Sequence, residues 1–61
     1  MEPDFYTVEE VAEKLRVQVY TIRNYIRRGQ LLAYKVGRDY RIKRVDFEKF
    51  LENRRSDKKD D

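Results

Sequence analysis

Three features of this 61-residue chain predict an α+β fold in the order helix, helix, two-stranded β-hairpin, helix. A capping box opens an amphipathic helix near residue 7. Only two residues separate that helix from a second one ending at a glycine, and beyond the glycine the apolar period changes from 3.6 to 2.

The first helix begins at Thr7. Its hydroxyl can accept from the amide three residues on, and the Glu10 carboxylate can reach back to the Thr7 amide. Val8, Val11, Ala12 and Leu15 then fall at i, i+3, i+4 and i+7, with Glu9, Glu10, Glu13 and Lys14 outside the stripe. Tyr6 stands where a hydrophobic staple onto Val11 would form, and acids in the first turn suit the positive end of the helix dipole. A second helix is expected over Gln18–Arg28, with Ile22, Tyr25 and Ile26 as its apolar face and Gly29 as a left-handed stop. So short a link as Arg16 and Val17 makes the two helices cross sharply and share one core, the helix-turn-helix arrangement.

After Gly29, Leu32, Tyr34 and Val36 alternate with Ala33 and Lys35. Beyond Gly37-Arg38-Asp39, Tyr40 and Ile42 alternate with Arg41 and Lys43. This predicts a hairpin with Leu32, Tyr34, Val36, Tyr40 and Ile42 facing inward and Lys35, Arg38, Arg41 and Lys43 on the outer face and tip. A last helix over about 44–53 places Phe47, Phe50 and Leu51 at i, i+3 and i+4 under the hairpin, with Val45 at its edge. The elements make a winged helix-turn-helix over residues 6–53, between a leader of residues 1–5 and a charged tail, residues 54–61, that is expected to be disordered.

Charge and composition narrow the function. Charged residues make up 44% of the chain and net only +3, but they are segregated. Residues 1–15 hold five acids against Lys14, whereas residues 16–44 hold nine bases against Asp39. A basic block of this kind is the footprint of a polyanion site. With no Cys and no His, thiolate and imidazole chemistry is absent, and a stability of roughly 3 to 9 kcal/mol for 61 residues leaves little for a deep polar cavity. No enzyme, cofactor, metal or small-molecule ligand is expected. No apolar run is long enough to span a membrane, and the acidic start MEPDF does not read as a signal peptide, so a cytoplasmic, nucleoid-associated protein is expected.

The segments YTVEEVAEKL, VQVYTIRNYIRRGQLLAYKVGRDYRI and DFEKFL, in that order and spacing, resemble the small winged-helix excisionase family of the MerR superfamily. TIRNYIRRGQLL is similar to the signature stretch of MerR regulators, and Tyr40-Arg41 falls where that superfamily has an aromatic-Arg pair. The chain departs from the pattern where Arg16 replaces the usual turn glycine and where Gln18 replaces a Ser or Thr cap. A left-handed backbone at Arg16 would cost about 1 kcal/mol. Gln18 is either a tolerated weak cap or a side chain left to face a ligand. No long dimerisation helix follows residue 53, as full-length MerR regulators have.

In such a fold the second helix enters the major groove. Its exposed side would present Gln18, Val19, Tyr20, Arg23, Asn24 and Arg27. Gln18 or Asn24 can pair with adenine, Arg23 or Arg27 with guanine or phosphate, and Val19 with a thymine methyl, while Tyr20 can instead pack on the first helix. The resemblance implies that Arg23 clamps phosphate. Lys35, Arg38, Arg41 and Lys43 form a wing that would straddle the backbone, with Arg38 in the minor groove. Double-stranded DNA is the expected partner. The resemblance further implies an excisionase-type factor that bends DNA for an integrase or recombinase, with neighbouring protomers on the duplex. A small MerR-like transcriptional regulator and a protein-interaction adaptor using the basic face are the alternatives. RNA is disfavoured because no exposed aromatic platform accompanies the basic block in this reading.

Overall fold

The computed structural model describes residues 4–54. The elements run β1 (Phe5–Thr7), α1 (Val8–Leu15), α2 (Val19–Arg27), β2 (Tyr34–Val36), β3 (Asp39–Lys43) and α3 (Arg44–Glu52). The strands form one antiparallel sheet in the order β1-β3-β2. The layout is the α+β winged helix-turn-helix expected from the sequence, with β1 added: three helices and a sheet of three strands rather than two. Phe5, assigned to the leader, stands in β1. The expectation of a disordered tail falls, apart from Arg54, outside the described residues.

Thr7 does two jobs. It ends β1 opposite Arg41, and it caps α1: the Glu10 amide donates to Thr7 Oγ1 at 3.0 Å while the Thr7 amide donates to Glu10 Oε1 at 2.9 Å. The start of α3 is fixed without a side-chain cap, because the Arg44 amide donates to the Asp4 carbonyl at 2.9 Å. The strand missed in the sequence thus ties both its neighbours in the chain and the last helix to the sheet.

Tyr6, Val8, Val11, Ala12, Ile22, Leu31, Ile42, Phe47 and Phe50 form the core, with Leu15, Val19, Tyr25, Ile26, Ala33 and Tyr40 packed against it. Tyr6 meets Phe47 edge to face at 5.5 Å, and Tyr25 meets Phe50 at 5.2 Å. Val45 and Leu51 of α3 stay exposed.

The hairpin corrects the expected faces. A three-residue loop through Asp39 would pair Val36 with Tyr40, but the observed turn has only two residues, Gly37 and Arg38, and Val36 pairs with Asp39. Gly37 has φ 65° and Arg38 does not share the positive φ, which suits a two-residue hairpin turn with Gly first. One residue of slip inverts every side chain of a strand. Tyr34 and Val36 therefore stand on the outer face, 51% and 55% exposed, while Lys35 shares the face of Tyr40. Leu32 is likewise exposed, and Leu31 takes its place in the core, fully buried.

Candidate nucleic-acid interface

The turn between α1 and α2 holds the second helix at its angle. Arg16 is left-handed, with φ 58° and ψ 45°. Its amide donates to the Glu13 carbonyl at 3.2 Å and the Val17 amide to the Ala12 carbonyl at 3.0 Å, the paired bonds of a Schellman motif. The same motif closes α2, where Gly29 at φ 77° donates to Ile26 and Gln30 to Tyr25. One stop uses the residue type that left-handed backbone favours, and the other places an arginine there.

Along α2, Gln18 is the N-cap residue but makes no side-chain capping bond, so its amide group is uncommitted. Tyr20 is two-thirds exposed. Asn24 Oδ1 accepts a 3.3 Å bond from Arg27 Nη1, which joins those two side chains on the exposed face. Val19 is half-buried against the core, leaving less of it to meet a base than an exposed residue would offer.

The wing meets α2 at a notch of about 170 Å³ whose lining includes Thr7, Glu9, Arg23, Asp39, Tyr40 and Arg41. Two arginines from different elements converge there, one from α2 and one from β3. Arg41 is held by an ion pair with Asp39 at 4.0 Å and by a 3.3 Å bond from its Nη1 to the Tyr40 carbonyl. Arg38 sits at the exposed hairpin tip. Lys35 Nζ lies 5.9 Å from the Tyr40 ring centre and Lys43 Nζ 5.8 Å from that of Tyr34. Arg23, Arg27, Lys35, Arg38 and Lys43 have no carboxylate within ion-pair distance among the described residues. The six cations expected from the sequence are thus spread out: Arg23 with Arg41 at the notch, Arg27 beside Asn24 on α2, Arg38 at the tip, and the two lysines on opposite faces of the hairpin.

Sequence reasoning missed two groups. Phe5 and Tyr34 are exposed aromatics beside the basic wing, which removes the ground on which RNA was disfavoured; the two-residue Gly37-Arg38 turn was the signal that exposes Tyr34. Arg54, assigned to the tail, lies with its guanidinium 4.7 Å from the Tyr25 ring and 4.6 Å from that of Phe50 and donates to Gln30 Oε1 at 3.3 Å. It fastens the end of α3 to the end of α2.

Fold and basic face together define a winged helix-turn-helix of the DNA-binding class. The family described as helix-turn-helix domain matches residues 5–55, and the chain belongs to it. The chain is also 41% identical over 54 residues to the uncharacterized protein YvgK of Bacillus subtilis (strain 168). That match takes in 88% of this chain and spans only 18% of the relative's length. No solved structure is significantly similar to it. Among the described residues no helix is long and apolar enough to cross a membrane.

Proposed function

We propose that this protein binds double-stranded DNA sequence-specifically, with α2 in the major groove and the hairpin on the backbone or in the adjacent minor groove. The placing of Arg23 of α2 and Arg41 of β3 on one notch carries the reading, because it offers a phosphate two guanidinium groups from different elements beside the Glu9 and Asp39 carboxylates that also line it. Gln18, Asn24 and Arg27 read base edges, Tyr20 lines the groove, and Val19 adds a small apolar contact. Lys35, Arg38 and Lys43 follow the backbone on either side of the wing. Binding that is unchanged in Arg23→Ala and Arg41→Ala, measured by duplex titration, would overturn this assignment.

The biological role that fits best is an excisionase-type recombination directionality factor of MerR-like ancestry, bending DNA for an integrase. The ordered resemblance of YTVEEVAEKL, VQVYTIRNYIRRGQLLAYKVGRDYRI and DFEKFL to small winged-helix excisionases supports this reading, whereas TIRNYIRRGQLL and the Tyr40-Arg41 pair fit a small transcriptional regulator equally. Energy transfer between dyes at the two ends of a bound duplex tests it: the distance shortens on binding if the protein bends DNA, and an unchanged distance argues for a simple regulator.

A further inference from the structure

The duplex-binding reading draws on Arg41 and Lys43 of the outer sheet face but leaves its aromatic rings unused. Residues paired across a ladder share a face, so Phe5 of β1, Arg41 and Lys43 of β3, and Tyr34 and Val36 of β2 all stand there. The Phe5 and Tyr34 rings are 6.2 Å apart at 54°, and 40% and 51% of these residues remains exposed despite that contact. A sheet face turned away from the core is ordinarily polar. In a chain that is 44% charged, two bare rings on that face call for an explanation.

Each ring has cations beside it. Lys43 Nζ is 5.8 Å from the centre of the Tyr34 ring, and Phe5 shares a groove with Lys43 and Arg44, along with Asp4 and Glu48. On the strands themselves the sole acid of this face is Asp39, which Arg41 already engages at 4.0 Å. Exposed aromatic rings interleaved with cations suit a polyanion whose bases are free to stack. Such a polyanion is a single strand, because a duplex keeps its bases stacked on one another. An apolar protein segment would be met by lysine at each ring.

We propose that the outer sheet face is a platform for single-stranded nucleic acid, with bases stacked on Tyr34 and Phe5 and the intervening phosphates held by Lys43 and Arg41. It uses the rings, which duplex binding through α2 does not need.

Fluorescence anisotropy tests it with labelled oligothymidylate and oligouridylate of about 10 nucleotides, within the span of small single-strand-binding modules. The wild type should bind in a saturable way. Tyr34→Ala should weaken binding about 5- to 150-fold, the range set by losing one base–aromatic stack. Tyr34→Phe should bind within about twofold of wild type, because the π-face survives. Tyr34→Thr, a strand former without a ring, replaces the alanine variant if thermal melting shows the latter unfolded. Duplex affinity should be the same in all of them. Binding of one oligonucleotide or of both supports the platform and identifies the sugar it accepts. The proposal fails if neither oligonucleotide saturates at low salt, or if the ringless variants bind single strands as well as wild type. It fails equally if they lose duplex binding in proportion, or if sedimentation shows the rings sealed in a dimer that Tyr34→Ala dissociates. Failure of the duplex reading alone would show as unchanged duplex affinity in Arg23→Ala while Tyr34→Ala still loses oligonucleotide binding.

Discussion

Arg16 carries the clearest residue-scale consequence. A left-handed arginine costs about 1 to 2 kcal/mol relative to glycine, part of which glycine gives back through its freer unfolded state. Arg16→Gly should therefore stabilise the protein by about 1 kcal/mol and raise Tm by about 4–8 °C in a melt followed by circular dichroism. The reverse change at the matching stop, Gly29→Ala, should lower stability by a similar amount, with no steric clash to add, because nothing lies within 4 Å of the position a Cβ would take. Gln18 separates stability from recognition. Gln18→Asp supplies the missing cap and should add about 1 kcal/mol to stability while changing which base is preferred at one position of the site. Calorimetry together with a panel of point-substituted duplexes reads both; a gain in stability with an unaltered preference would mean that Gln18 is only a weak cap.

At the scale of elements, the helices were legible because their signals are local. The Thr7/Glu10 box, the Val8–Leu15 stripe and Gly29 fix α1 and α2 to within a residue, and the left-handed backbone at Arg16 was flagged only by the family resemblance, which has a glycine there. The sheet was less legible because its signals are relative. Tyr34 and Val36 alternate as a buried strand would, but their face depends on how many residues the turn contains, and Gly37-Arg38 with two reverses the answer that three would give. β1, at three residues, has too little length for a period, and its pairing with β3 is a non-local fact. The α2 residues facing away from the core could be picked out from the helical repeat, whereas the placing of Arg23 and Arg41 on one notch needs the crossing of α2 and β3. Ile42 joins these elements: fully buried on β3, it lies opposite Tyr6 in the register and shares the core with Ile22 and Phe47. Ile42→Ala should cost about 2–5 kcal/mol, most of what a chain of this size has, and leave little folded protein at 37 °C. A cooperative melt at the wild-type temperature would contradict the core described here.

For the whole molecule, the segregation of charge yields a prediction about assembly. Glu9 and Glu13 are exposed on α1, opposite in sign to the wing, so neighbouring protomers on adjacent sites can meet wing to α1 in a head-to-tail contact that does not close on itself. A single module of this size buries about 600–1,000 Å² on DNA, the low end for specific complexes. The free protein should therefore sediment as a monomer, and its affinity per site should rise from one to two to three adjacent sites. Equal affinity per site would rule the contact out. The central claim is that the cations of α2 and of the wing together hold the duplex backbone, and the salt dependence of duplex binding tests it most directly. With Arg23, Arg27, Lys35, Arg38 and Arg41 each neutralising one phosphate, log K should fall against log salt with a slope of about −4.5, and Arg23→Ala should flatten it by about 1. A wild-type slope shallower than about −2 would contradict the account.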